Sequence, residues 1–582
     1  MKQIGNTSET KLRILVFGFI DMNTMDGSAV FLSSVATALA LDKNIHVDLL
    51  LARPIKRDIL LEPLEAADNI TVINPYEDEV FKQSGEEWLR KGFLSYTDAE
   101  SLICHYWSRN RYDWLLVRSM DTVERILPHS SIIEQTLVYV TGLTHADQNL
   151  NDSSHDSLKN IYEKCAYFLC QTKEMCQFVI DLLELPADHK VALLSPMIPD
   201  VEVEENQELT RQLVYTGKFD PDWRTIEIIT AFKELKREME DLTLHIAGDK
   251  FNRREQQPNF REEAMYLLRN TDGLNWYGAL TRKDAQQLIV NSDIGITWRS
   301  PEMDSSLELS TKLLEYGILK KPVIMNPTKM HKQLFGEDYP LFANTEKEFR
   351  DAVKNALNDR QIYDSAAARM YQVSSNFVFS KALKRLQPML WGKRIKQYMT
   401  DMARQGISIK ADAESLPFLT AIPHFNIKEA LLKNEPEGQT CFIIESPGNE
   451  MKKMEQFIRF SKSGVIQDIE KMGPLDFVKI KSVAADLETI LIANKAFFPY
   501  IGTEVQRSPG RIKRRKADSK EQMGVGTNTR AIQRENKELS RLLQKLTRQQ
   551  ANLEHKYKAL SSSKMGRLTM KYWEIRRRYQ QP

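Results

Sequence analysis

The chain has 582 residues, too long for one hydrophobic core, so it must form several domains. Hydrophobic residues at 42% and charged residues at 27% are the proportions of a soluble globular protein and exclude a disordered or membrane-embedded class. The net charge of +2 conceals an asymmetry: Arg507–Lys520 carries seven Lys/Arg against one Asp and Lys564–Pro582 six against one Glu, leaving the rest of the chain acidic.

The first nineteen residues lack the apolar core of a signal peptide, and no window approaches the roughly 18 apolar residues of a membrane span. Five cysteines, odd in number and without a Cys-x-x-Cys pair, argue against a disulfide framework and a zinc site and favour a reducing, cytoplasmic setting. Residues 12–20 read as a buried parallel strand. A loop follows through Asp26-Gly27-Ser28, then a helix with Phe31, Val35, Ala38 and Leu39 on one face, then a strand at His46–Leu51. No GxGxxG fingerprint is present, which disfavours a dinucleotide oxidoreductase. Further strands are predicted at Trp114–Arg118, Thr136–Val140, Phe168–Cys170 and Val191–Leu194, with a linker beginning at Pro196-Met-Ile-Pro199. A second α/β set begins at Gln212–Gly217 and continues with strands at Leu242–Ala247, Leu274–Tyr277, Ile294–Trp298 and Pro322–Met325. Helices are predicted over 346–358 and 363–372, and 376–398 with Trp391 is predicted to return to the first set.

Beyond 400, residues 405–506 hold strand-like runs at Thr440–Glu445 and Phe477–Ile480 and are predicted to form a small α/β extension. Residues 507–530 read as a basic disordered linker. Ile532, Leu539, Leu546, Leu553 and Leu560 repeat every seventh residue, so 531–561 reads as a coiled-coil helix joining copies of the chain, although of the partner positions Glu535, Leu542, Gln549 and Lys556 only Leu542 is apolar. The tail 562–582 mixes Met565, Leu568, Tyr572 and Trp573 with cations and reads as a basic amphipathic helix for an anionic membrane surface. The basic linker lacks a base-stacking aromatic surface, so nucleic acid is not expected as a partner.

The most informative stretch is Asp293–Pro301 followed by Ser310-Thr-Lys-Leu-Leu-Glu315-Tyr-Gly317 and Lys321–Met325: strand, polar loop, helix, glycine break, strand. An anion at that helix N-terminus, Ser310-Thr311-Lys312, would meet free N–H groups and the positive end of the helix dipole. Glu315, about one turn further in, is acceptor-only when ionised and suits a sugar diol. Phosphate and hydroxyl groups so spaced describe a nucleotide-sugar site. Lys218 and Arg224 in Thr216–Thr225 supply cations for two phosphate charges. Asp220-Pro-Asp222 has the Asp-x-Asp pattern of a metal dyad, but Pro221 makes it a turn and no metal is expected. Tyr277-Gly278 and Arg299 sit at C-terminal strand ends, where open α/β sheets bind ligands.

The segment around Ser310–Gly317 resembles the donor signature of retaining glycosyltransferases of family four, over roughly residues 11–400 of this chain. The resemblance implies the GT-B fold: a Rossmann-like acceptor lobe (11–200, with the return helix 376–400) and a Rossmann-like nucleotide-sugar lobe (205–375) facing a cleft. It implies donor binding by Gly27, Ser28, Gly217, Lys218, Arg224, Tyr277, Arg299, Ser310, Thr311, Lys312 and Glu315, with His145, Lys218 and Arg224 in the catalytic role and Arg118 near acceptor or donor. Family members carry a second glutamate eight residues before Glu315; here that position is Leu307, with Asp304 and Glu308 close by. The implied activity is transfer of a sugar, with retention, from a nucleotide-diphosphate sugar to a glycan or lipid-linked acceptor in surface-polysaccharide synthesis, without a cofactor, on the inner face of the membrane. The rival readings are a nucleotide-sugar epimerase or hydrolase of the same architecture and an inactive scaffold acting through residues 405–582.

Overall fold

A computed structural model of the protein describes residues 11–141, 152–201, 208–252, 257–404, 408–411, 416–423, 464–472, 474–482 and 488–494. Its strands are β1 (Leu12–Gly18), β2 (Ile45–Leu50), β3 (Ile70–Ile73), β4 (Trp114–Arg118), β5 (Thr136–Tyr139), β6 (Tyr167–Cys170), β7 (Val191–Leu193), β8 (Gln212–Thr216), β9 (Thr243–Ala247), β10 (Leu274–Trp276), β11 (Ile294–Ile296), β12 (Val323–Ile324), β13 (Ser408–Ala411), β14 (Gly464–Met472), β15 (Leu475–Ser482) and β16 (Glu488–Asn494). The first seven form one parallel sheet in the order β3-β2-β1-β4-β5-β6-β7. β8 to β12 form a second, in the order β10-β9-β8-β11-β12, also parallel. Each sheet therefore reverses its winding beside its first strand, between β1 and β4 and between β8 and β11. At such a reversal the loops part to leave a crevice at the C-terminal strand ends.

Burial accounts for the apolar strands. Leu12, Ile14, Leu15, Val16 and Phe17 of β1 are all fully buried because helices cover both faces of a parallel sheet. The two faces of the first sheet sit in separate clusters, Leu12, Ile14 and Val16 in one and Leu15 and Phe17 in the other, as alternation along a strand requires. This is the GT-B architecture of two parallel-sheet α/β lobes, both within the unit Met1–Tyr500.

After the second sheet the chain crosses back. Ile198 bridges Val378, and the helix Phe379–Arg404 packs Leu386, Leu390, Trp391 and Ile395 into the core of lobe 1. Trp114 Nε1 donates to the Leu390 carbonyl at 2.9 Å, and Arg394 pairs with Asp113 at 2.8 Å. The last described sheet has the order β13-β16-β15-β14, antiparallel except for β13 on β16. Leu419, Ile422 and Leu475 join the lobe 1 core. Phe477–Ile480 lies within β15, whereas Thr440–Glu445 and residues 507–582 lie outside the described residues. Strand β3 has no counterpart in the sequence reading. It is a four-residue edge strand with no fully buried side chain, so its apolar signal is short. Among the described residues no helix is long and apolar enough to cross a membrane.

Candidate functional site

The site forms where β8 and β11 diverge. β8 ends at Thr216, and Gly217 turns the chain with φ 132°. The neighbouring Gly248, after β9, has φ 150°, and a Cβ there would stand 1.9 Å from the Gly217 carbonyl oxygen. Both positions exclude side chains, so the two loops approach backbone to backbone. They are zipped further by hydrogen bonds from Phe219 N to Lys250 O (2.8 Å) and from Asn252 N to Phe219 O (2.9 Å). Asp220 is buried: it accepts from Asp222 N at 3.0 Å and from Asn252 Nδ2 at 2.5 Å. Its carboxylate therefore holds the turn Pro221–Trp223.

The helix Thr311–Ile318 is fixed below this loop. Its Tyr316 ring fits against Gly295 of β11, where a Cβ would come within 2.6 Å of the ring, and its hydroxyl accepts from Thr216 N at 2.8 Å. Ser310 is the N-cap but makes no side-chain capping bond. The helix beginning at Thr225 likewise has an uncapped N-terminus, with Arg224 in the left-handed region at φ 49° as its N-cap residue. Two helix N-termini without side-chain caps thus belong to this lobe's crevice loops.

Four cations surround them. The Lys218 ammonium lies 4.2 Å from the centroid of Trp223, Lys312 4.4 Å from Tyr215, and the Arg224 guanidinium 4.0 Å from Trp298. Arg224 also donates to the Asn344 carbonyl at 2.8 Å. Arg299 is buried, its backbone locked to Asn326 by reciprocal bonds of 2.8 and 2.9 Å. None of the four is in an ion pair among the described residues. Aromatic faces hold three of them without neutralising their charge. Lys312 is the extreme case. Its ammonium is sealed from solvent with no hydrogen-bond partner, against the face that Gly217 leaves open. Burial, reinforced by Arg299 and Lys218, pushes its pKa down to about 7, against the weaker pull of Glu315. Burial also lowers the pKa values of Arg224 and Arg299.

Glu315 is a turn further along the same helix and is held by a residue that the sequence did not single out. Arg282 Nη2 donates to Glu315 Oε1 at 2.8 Å, and its Nη1 donates to Ser34 Oγ of lobe 1 at 3.0 Å. Tyr277 is exposed, its hydroxyl 2.9 Å from His245 Nδ1, while the backbone carbonyl of Gly278 accepts from Gly248 N at 2.7 Å.

Lobe 1 faces the crevice differently. Gly27 opens the helix Gly27–Ala40 and has open space where a Cβ would be, so its backbone can be approached. The N–H groups of Ser28 and Ala29 are already taken by Asp26 Oδ1, both at 3.0 Å. Asp26 Oδ2 in turn receives Lys250 from lobe 2 at 2.5 Å, and Arg57 pairs with Asp249 at 3.2 Å. Arg118 ends β4 with its guanidinium 6.0 Å from the Phe31 ring. His145 lies outside the described residues.

Leu307 has an unexpected place. It is 1% exposed and belongs to the apolar cluster of lobe 1, not of its own lobe. Thr172 Oγ1 donates to its carbonyl at 2.9 Å, and Leu309 N donates to Gln171 Oε1 at 2.8 Å. The loop before the helix Thr311–Ile318 is therefore stapled to lobe 1, and a leucine rather than a carboxylate is what that apolar socket admits.

Residues 210–359 match the family model described as Glycosyl transferases group 1. The match contains the whole second sheet and the cationic crevice, so the chain carries a glycosyltransferase domain there. Among solved structures, HepE of Anabaena in complex with UDP-glucose is 10% identical, with 66% of this chain and 100% of that chain covered and a TM-score of 0.49. Sucrose-phosphate synthase from Thermosynechococcus elongatus is 12% identical, with 67% and 100% covered and a TM-score of 0.46. The N-terminal domain of trehalose-6-phosphate phosphatase from Candida albicans is 10% identical, with 66% and 97% covered and a TM-score of 0.47. All three are too distant to lend this chain a substrate. No curated protein matches the sequence.

Proposed function

We propose that this glycosyltransferase transfers a sugar, with retention of its anomeric configuration, from a nucleoside-diphosphate sugar to a glycan or lipid-linked acceptor. The observation that carries the donor class is the sealed, unpartnered Lys312 ammonium among Lys218, Arg224 and Arg299, beside the uncapped N-terminus of Thr311–Ile318. A buried unpaired charge is costly, and a pyrophosphate would supply its partner and fill the helix N-terminus. Glu315, one turn deeper, would accept from the ribose diol, and the backbone beside Tyr277-Gly278 would face the base.

The chemistry then follows from charge. The bond between the anomeric carbon and the β-phosphate oxygen breaks, and a bond from the acceptor hydroxyl to the same carbon forms. The hydroxyl proton passes to the departing phosphate. The nucleoside diphosphate is a good leaving group, so the protein chiefly stabilises charge growing on the β-phosphate. Lys218, Arg224 and Lys312 would supply that stabilisation, and the family resemblance assigns contact with the reacting sugar to His145. The basic tail 562–582 would hold the enzyme at an anionic cytoplasmic membrane face, and 531–561 would join copies so that weak tails act together. A thermal-shift screen of UDP, GDP and ADP tests the donor class, since a ligand bound only by the folded state raises the melting temperature. NMR of the product's anomeric proton tests retention. Absence of any nucleotide shift would remove the donor reading.

A further inference from the structure

Arg282 is out of place for helix stability. It is the first residue of the helix Arg282–Val290, whose N-cap Thr281 accepts from Asp284 N. A cation at a helix N-terminus opposes the dipole, so local energetics give no reason for it. Its surroundings do. The guanidinium is largely enclosed, 5.8 Å from the Phe379 ring, with its Nε sealed and without a partner. One terminal nitrogen reaches Glu315 on lobe 2 and the other reaches Ser34, a buried hydroxyl on the first helix of lobe 1. Arg282 and Glu315 are each only 17% exposed, so the pair is little screened. The bond to Arg282 uses Oε1 of Glu315, which leaves lone pairs on Oε2 for a diol.

We propose that Arg282 is a positioning residue that ties the seating of lobe 1 to capture of the donor's ribose. Its planar fork aims the Glu315 carboxylate and at the same time registers the helix Gly27–Ala40 through Ser34. Nucleotide affinity on lobe 2 is thereby made to depend on a hydroxyl of lobe 1 that is bonded to Arg282. A lysine keeps the charge but has no rigid fork with which to join both partners. The inference rests on the donor reading above, with Glu315 as the ribose acceptor.

The test is a double-mutant cycle on affinity for the best-bound of UDP, GDP and ADP, measured by titration calorimetry on the full chain, with melting temperatures recorded alongside. Arg282→Gln should weaken binding at least tenfold and Ser34→Ala about threefold. Adding Ser34→Ala to Arg282→Gln should cost nothing further, because the connection is already cut. Arg282→Lys should bind more tightly than Arg282→Gln yet no longer respond to Ser34→Ala. A native affinity for Ser34→Ala alone would overturn the coupling. So would equal losses from Ser34→Ala in the native protein and in Arg282→Lys. A purely structural role for Arg282 would lower the melting temperature while leaving nucleotide affinity unmoved in Arg282→Lys and Ser34→Ala, and that result would overturn it too. If the native protein binds none of the three nucleotides, the donor reading itself fails; if it binds and the cycle is additive, only the role of Arg282 fails.

Discussion

The two lobes follow one plan but treat their crevice helices in opposite ways. In lobe 1 the helices that begin at Gly27, Met120 and Lys173 are capped by the side chains of Asp26, Ser119 and Thr172. In lobe 2 the helices that begin at Thr225 and Thr311, on either side of the β8–β11 crevice, have no side-chain cap. A capped terminus has spent its dipole and its N–H groups on the protein itself, whereas an uncapped one keeps them for a ligand. The cations near the crevice also fall into two groups, though not by lobe. Lys250 and Arg57 are in cross-lobe ion pairs, whereas Lys218, Lys312 and Arg224 rest on aromatic rings. The proposed diphosphate site on lobe 2 rests on this pairing of open N-termini with unneutralised cations on the same lobe.

The glycines offer the harshest way to break this contrast. Gly248→Ala would force a Cβ to 1.9 Å from the Gly217 carbonyl at a φ that side chains rarely adopt. A loss of about 3 kcal/mol or more is expected in urea unfolding, together with loss of nucleotide binding. Gly27→Ala, with nothing within 4 Å, should change stability by no more than about 0.5 kcal/mol. Equal losses would mean that the two loops are not differently built.

Leu307→Ala should cost about 2–4 kcal/mol, because a leucine from lobe 2 fills the lobe 1 core. Urea unfolding followed by a probe on each lobe measures this, and the loss should appear in the lobe 1 transition. Removing the cap with Asp26→Ala should cost about 1 kcal/mol and leave Lys250 without its partner. An unchanged urea midpoint would show that the lobe 1 helix does not depend on its cap.

Much of this was legible in the sequence, for physical reasons. Buried parallel strands are apolar runs, so β1, β4 and β8 stand out, and strand–loop–helix order places Lys218, Arg224, Lys312 and Glu315 at one crevice. Asp26-Gly27-Ser28 was read only as a loop leading into a helix, and that the Asp26 carboxylate caps this helix by accepting from Ser28 N and Ala29 N appears only in the structure. Other features were beyond reach. The position of Leu307 stood out as a departure from the family pattern, but no local signal says that its side chain enters the other lobe. Arg282, Ser34 and Glu315 are far apart in the chain, and their convergence exists only in three dimensions.

The smallest expected effect is on protons. In the free protein the pKa of Lys312 is about 7, so the ammonium is partly neutral near neutrality. A bound diphosphate favours the charged form, so binding above pH 7 should take up a proton and affinity should fall as pH rises. Calorimetry in buffers of different ionisation enthalpy measures the uptake. Stability has the opposite sense. The unfolded lysine titrates at roughly 10.4, so the cost of burying the charge is fully present below about pH 7 and fades as pH rises toward 10. Lys312→Met should remove both dependences.

The same variant supplies the most direct test of the proposed diphosphate site on lobe 2. Titration of UDP, GDP and ADP into native protein and Lys312→Met at pH 7 compares the site with and without its sealed cation. Methionine fills the space with little change in volume and without charge, so the fold should persist. The best-binding nucleotide should lose at least tenfold in affinity, while the melting temperature of the free variant should equal or exceed the native value. Native affinity in Lys312→Met, with the fold intact, would contradict the proposed site and place the diphosphate elsewhere.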